Sequence, residues 1–358
     1  MGSGARQTQL ADVHTKLRWP LPSGNTDHIL VMVPPRLAVG QPAARIPSGG
    51  SRVTEQSEKT AGWLDWVKDR GEPAFSLPDG AVDAHCHVFG PAAEFPFSPT
   101  RKYTPCDAGK ADLRELRGHL GVSRNVIVQA TCHGRDNAAL LDALDYFGDT
   151  ARGVVSAGAD VTIEQLTAIH ERGVRGVRFN FVKRLVQSQP FEELALVADK
   201  IRDFGWHFVL YFEPEDLPGL EGTFAGLGVP LVIDHMGRPD VRKGADSEEF
   251  SSFLRFVERT NAWVKVSCPE RLTEAGPYAV DGQREVYADV VPFARRVIAE
   301  FPERTLWGTD WPHPNLRSHM PDDALLLGYI PQIAPTAAEQ QALLVTNPMF
   351  LYWSSTVA

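Results

Sequence analysis

The sequence has little cysteine: Cys86, Cys106, Cys132 and Cys268 are the four in 358 residues, and no two form a CxxC pair. A disulfide scaffold and a cysteine-rich zinc site are excluded, and reduced thiols in a cytoplasmic protein are expected. Basic charge is also short. Lys and Arg number 36 against 45 Asp and Glu, a formal net charge of −9. A nucleic-acid footprint is therefore missing. An anionic ligand must be met by local arginines, because the general field repels it. No apolar run approaches the roughly 20 residues of a membrane span. The apolar stretch Ile29 to Val33 is shorter than a signal-peptide core of about 7–15 residues, so no signal peptide is expected. A Gly-rich dinucleotide fingerprint and a P-loop are missing too.

What is present divides at two points. Residues 1–52 are rich in Pro, Gly, Ser and Gln, as in Pro47-Ser48-Gly49-Gly50, and read as a disordered extension. Val53 is then a candidate natural start. Residues 53–78 read as a lead-in segment in which Thr60 caps a short helix carrying Trp63 and Trp66 on one face, packed on the main domain. Residues 79–358 show a different rhythm. Short apolar runs at 81–88, 125–130, 153–157, 176–181, 207–212, 230–234, 262–267 and 305–308 read as strands. Helical patterns lie between them, at 138–147, 163–172, 191–204, 247–259 and 287–301. Eight βα units in a chain that exceeds the roughly 250 residues of an ordinary barrel predict an α/β fold, a closed (β/α)₈ barrel. An open doubly wound sheet is the alternative.

In such a barrel the chemistry sits at the carboxyl ends of the strands. The first strand ends Asp83-Ala84-His85-Cys86-His87. A period of two turns His85 and His87 the same way and Cys86 the other. The sixth ends Ile233-Asp234-His235, and the eighth ends Gly308-Thr309-Asp310. Each alone has an ordinary structural explanation: a buried histidine bonded to backbone, or an aspartate capping a turn. Together, HxH, His and Asp at those strand ends resemble the amidohydrolase superfamily. The strand-four lysine and strand-five histidine of its binuclear members are missing here, where Arg178-Phe179-Asn180 and Tyr211-Phe212-Glu213 stand, so a binuclear metal centre is not expected.

Longer motifs narrow the resemblance. Asp83 through Pro91, Phe95-Pro96-Phe97-Ser98-Pro99 with Tyr103, Val126-Ile127-Val128-Gln129-Ala130, Gly176 through Phe181, Ile233 to Asp240 and Trp307 to Asn315 resemble the 2-pyrone-4,6-dicarboxylate lactonase group. That resemblance implies hydrolysis of an anionic lactone in aromatic compound degradation. It places Tyr103, Arg178, Arg184, Tyr211, Arg238 and Arg271 on a dicarboxylate substrate, and makes His313 and Asn315 further contacts. Four arginines near one barrel mouth suit bidentate capture of carboxylates. The expected mechanism has Asp310 as general base for a water that attacks the lactone carbonyl. His235 and Tyr211 polarise that carbonyl, while His85 and His87 position the water. The resemblance implies that no metal is required; Zn²⁺ on His85, His87 and Asp310 is the competing picture. The alternatives are a zinc-containing 4-sulfomuconolactone hydrolase, a metal-dependent decarboxylase of the same superfamily, and a non-enzymatic ligand-binding barrel. The partner is thus a small anionic lactone, with no nucleic acid and no membrane. The sequence does not reveal an oligomeric state.

Overall fold

The computed structural model describes residues 58–185, 191–277 and 286–354. The expected disordered extension, 1–52, lies outside them. Eight strands alternate with helices. They are β1 (Val82–Cys86), β2 (Arg124–Val128), β3 (Ala151–Val155), β4 (Val174–Asn180), β5 (His207–Tyr211), β6 (Leu231–Ile233), β7 (Trp263–Lys265) and β8 (Thr305–Leu306). Each pairs in parallel with the next, in the order β1 to β8. The ring closes where β8 meets β1: Ala84 N donates to Trp307 O (2.9 Å), Asp310 N to His85 O (2.8 Å) and His87 N to Trp311 O (2.7 Å). This is the (β/α)₈ barrel that the eight apolar runs predict.

The helices between strands are α1 (Lys110–Leu120), α2 (Ala138–Phe147), α3 (Ile163–Glu171), α4 (Phe191–Ile201), α5 (Leu217–Ala225), α6 (Glu248–Thr260), α7 (Pro269–Leu272) and α8 (Val291–Glu300). Their caps follow the sequence. Thr162 and Ser247 accept from backbone N–H groups of the first turns of α3 and α6. Two apolar layers result. Val82, Ala84, Val126, Val128, Val154, Val209, Val232 and Leu306 pack inside the ring, with Tyr352 of the terminal helix Asn347–Trp353 packing against them. Outward residues such as Ile127, Val177, Phe179, Leu210 and Val264 pack in the larger cluster shared with the helices. Period two sorts the two sets.

One irregularity in β1 matters for function. Asp83 pairs with Asn125 and Cys86 with Ile127, so three steps on β1 face two on β2. Such a bulge re-aims side chains. Ala84 packs inside the ring, yet His85 and His87 also face inward, while Cys86 joins the outer core.

The helix expected after Thr60 does not form; residues 58–80 run as turns and irregular segments. The Thr60 hydroxyl accepts from Thr104 N (2.8 Å), and Thr60 N donates to Thr104 O (3.0 Å), so its polar groups are used across the chain and not as a cap. The packing of the tryptophans holds nonetheless. Trp63 stacks on Tyr103 with centroids 5.4 Å apart, and Trp66 meets Trp311 edge-on at 5.2 Å.

At the seam, a Cβ built on Gly308 would lie 2.4 Å from His85 N and 2.7 Å from its Cβ. Only a residue without a side chain lets β8 approach β1 this closely. Gly308→Ala is expected to destabilise the protein by about 1–3 kcal/mol. By moving His85, it should also lower turnover about a hundredfold. Denaturant unfolding beside steady-state kinetics checks this, and wild-type values for both would contradict it.

Candidate active site

Asp310 stands at the centre. It follows β8 with φ +62, and its carboxylate is buried. Oδ1 faces three imidazoles: His87 Nε2 at 3.2 Å, His85 Nε2 at 3.4 Å and His235 Nε2 at 3.9 Å. Oδ2 accepts from Arg271 Nε (2.9 Å) and Nη2 (2.8 Å). Burial opposes its charge, but the Arg271 guanidinium, followed by the His87 contact, holds the carboxyl well below the usual carboxylate range. It is ionised at neutral pH and able to take a proton.

The histidines are set from behind. His87 Nδ1 lies 2.7 Å from Val128 O, which fixes the ring so that Nε2 faces Asp310. His87 Nε2 and Asp310 Oδ1 are in direct hydrogen-bond contact at 3.2 Å. His85 Nδ1 lies 2.9 Å from Lys265 Nζ and 3.2 Å from Asp234 Oδ1. Burial, then the Lys265 ammonium, pushes His85 well below its ordinary value. His235 Nδ1 is 2.9 Å from Ser267 Oγ, and burial lowers its pKa to about 3. Both rings are neutral.

Asp234 forms a second hub. Oδ2 accepts from Arg178 (Nε at 3.0 Å, Nη2 at 2.9 Å), and Oδ1 lies 3.1 Å from Lys265 Nζ. Burial opposes its charge, but Lys265, His85 and Arg178 hold it well below the usual range. At the mouth, Arg238 donates from Nη1 to Tyr211 Oη (2.6 Å) and from Nε to Glu213 Oε2 (2.8 Å). Arg184 is exposed and makes no ion pair among the described residues. Partial burial, with Arg238 and Arg271 nearby, lowers its pKa, and Glu213 opposes them.

These groups surround a cavity of about 330 Å³, including its open mouth. His87, Tyr103, Arg178, Tyr211, His235, Arg271, Asp310 and Asn315 line it, with Ala130, Thr131, Asn180, Leu185 and Pro314. His85 lies beneath, Arg238 behind Tyr211, and Arg184 outside. His313 departs from its expected place as a substrate contact. It is fully buried, with Nδ1 3.3 Å from Glu270 Oε1 and Nε2 3.0 Å from Asp323 Oδ1, turned away from the cavity between α7 and the short helix α9 (Asp323–Leu326). The left-handed backbone of the strand end rotates it there, at φ +52.

Residue spacing missed Lys265, Asp234, Ser267 and Glu270. A signal existed for Lys265: one lysine in an otherwise apolar strand, at the inward parity. Left-handed backbone gathers at this end, at His235, Met236, Arg238, Cys268, Asp310, His313 and Asn315. Such strain costs about 1–3 kcal/mol per residue and persists only where surrounding bonds hold it.

The donor set also fits a divalent cation. His85 Nε2 is buried without a hydrogen-bond partner, and one ligand atom from each of His85, His235 and Asp310 lies within 4.8 Å of the others. Against that, Lys265 and Arg271 already bring two positive charges to the same group.

Burial alone would lower His313, but Asp323 and Glu270 outweigh it and raise its pKa to about 10 from 6.5. Its contribution to stability is therefore complete below pH 6.5 and is lost as pH rises through about 10. Denaturant unfolding across that range should show the gap between wild type and H313Q narrowing as pH rises. A gap that stays constant would contradict the ion pairs.

The comparisons agree with this geometry. Residues 82–352 match the Amidohydrolase family. The 2-pyrone-4,6-dicarboxylate hydrolase of Comamonas testosteroni is 61% identical over 303 residues, 84% of this chain and 99% of that protein. The 4-sulfomuconolactone hydrolase of Rhizobium radiobacter is 34% identical over 285 residues, 78% of this chain and 92% of that protein. A crystal structure from Agrobacterium tumefaciens superimposes with a TM-score of 0.68 at 29% identity, covering 80% of this chain and all of that one (100%). No helix among the described residues is long and apolar enough to cross a membrane. The chain belongs to the amidohydrolase family.

Proposed function

We propose that the protein hydrolyses 2-pyrone-4,6-dicarboxylate, opening the lactone ring to a muconate-type acid in the cytoplasm. One observation carries this reading. An ionised carboxylate faces three histidine nitrogens at the floor of a cavity ringed by arginines and tyrosines. The 61% identity to a hydrolase of that lactone supports the substrate.

The steps follow from the charges. A water seated in the cavity over Asp310 Oδ1 donates one hydrogen to that oxygen, which His87 Nε2 holds in place at 3.2 Å. Asp310 takes one proton as the oxygen attacks the lactone carbonyl. With Ser267 donating to Nδ1, neutral His235 carries its hydrogen on Nε2, facing the pocket. Tyr211 accepts from Arg238, so its own hydroxyl hydrogen is free to point at the substrate. These two donors meet the developing oxyanion. The tetrahedral carbon then expels the ring oxygen, which takes up the proton held by Asp310. One substrate carboxylate pairs with Arg184, which makes no ion pair among the described residues. Arg178 and Arg271 hold the other end of the ring, with Tyr103 and Asn315 on its flanks. A divalent metal, held by His85, His235 and Asp310 with His87 beside them, would supply an activated water and a polarised carbonyl. The positive charges of Lys265 and Arg271 favour turnover without one.

The direct test is the purified protein assayed with 2-pyrone-4,6-dicarboxylate, 4-sulfomuconolactone and simple muconolactones. Pyrone hydrolysis that survives chelator treatment is expected. Preference for the sulfonated lactone, or activity that returns only with zinc, would overturn this reading. R184A should raise KM about tenfold or more with a smaller change in kcat, since one charge-assisted bond is worth about 1.5–3 kcal/mol. Y211F should instead lower kcat about a hundredfold. The opposite pattern would exchange the two roles.

A further inference from the structure

Glu270, His313 and Asp323 are buried groups that the reaction itself does not use, and they run in one row with Arg271 and Asp310. Its Oε1 is 3.3 Å from His313 Nδ1 and 3.7 Å from Arg271 Nε. Arg271 is also the group that grips Asp310, through Nε and Nη2, and it donates from Nη2 to Pro314 O at 2.6 Å. On the far side, His313 Nε2 is 3.0 Å from Asp323 Oδ1. The signs alternate along the row: Asp323, His313, Glu270, Arg271, Asp310. Glu270 and Asp323 each keep one buried oxygen with no hydrogen-bond partner, Glu270 Oε2 and Asp323 Oδ2. Two buried carboxylates so poorly satisfied depend on the imidazole between them.

Arg271 thus has two carboxylates to choose from, one on the next residue back and one across the barrel mouth. Which it grips depends on how far Glu270 is already neutralised. We propose that His313 is a positioning residue for the reaction: by occupying Glu270 it leaves Arg271 to Asp310, with Oδ1 of Asp310 turned to the histidines. His313 also ties the strand end mechanically, since its N–H donates to Asp310 O at 2.8 Å. A neutral side chain at 313 preserves that backbone bond but not the charge. Arg271 then turns from Asp310 to Glu270, and Asp310 loses the partner that orients it. The raised pKa of His313 agrees with a charged ring in this place.

This inference rests on Asp310 being the base, and its test separates the two claims. H313Q should lower kcat/KM about tenfold to a hundredfold, the cost of a base displaced by an ångström or less. Adding E270Q removes the competing carboxylate. The double variant H313Q/E270Q should recover about tenfold over H313Q, a coupling of roughly 1.4 kcal/mol. A purely structural role for the cluster predicts the reverse, because the second substitution removes another buried polar contact. A crystal structure of H313Q should show the Arg271 guanidinium on Glu270 and off Asp310. This readout stands even if the protein hydrolyses none of the lactones named above, an outcome that would sink the assigned reaction alone. A double variant no better than H313Q overturns the proposal, and so does Arg271 still paired with Asp310 in the H313Q crystal. If H313Q does not fold, the double variant is assayed alone. Activity within about tenfold of wild type then supports the proposal, and a deeper loss overturns it.

Discussion

The active site depends on the seam where β8 is pressed against β1. Three backbone bonds join Ala84, His85 and His87 to Trp307, Asp310 and Trp311. They set His85 and His87 opposite Asp310 before any side chain contributes. Gly308 permits the approach. Asp83 reinforces it: Oδ1 accepts from His85 N (3.1 Å) and Thr309 N (3.0 Å), and Oδ2 accepts from Thr309 Oγ1 (2.8 Å) and Asn125 Nδ2 (3.2 Å). A buried carboxylate with four donors is well satisfied, although burial still raises its pKa to about 6. The bulge in β1 then delivers both histidines to one side.

On that frame the charges are distributed in pairs. Asp310 has Arg271, Asp234 has Arg178 and Lys265, and Glu213 has Arg238. Apart from Asp83, which four donors satisfy, these buried charges need such a partner, because desolvation costs several kcal/mol per ion. The pairing also prepares the site for an anion. Every arginine on the cavity wall is held in place before substrate arrives, and Arg184 at the rim remains without an ion pair among the described residues. The left-handed residues at the ends of β6, β7 and β8 are held by the same contacts, so strain and function share one network.

Much of this was legible in the sequence. Short apolar runs mark all eight strands, and the shared direction of His85 and His87 survives because the bulge shifts both together. Asp310 and His235 follow from their place after strands. The Thr60 cap was misread because Thr104, its partner, is distant in sequence. Helices α1, α5 and α7 were not among the segments marked in the sequence; α5 contains Pro218, Gly219 and Gly222, which weaken any local helical signal. His313 was placed on the substrate because motif position does not report the backbone rotation that turns it away. Lys265 and Glu270 were missed for a related reason. Their roles exist only through partners brought together by closure of the barrel.

The central claim is that Asp310 removes a proton from the attacking water. Steady-state kinetics of D310N on 2-pyrone-4,6-dicarboxylate test it most directly. The amide keeps the size of the side chain but cannot accept the proton. The account predicts kcat reduced about a thousandfold, within the range for general-base catalysis, with binding of the dianion largely retained. A D310N enzyme that turns over within about tenfold of wild type would contradict it.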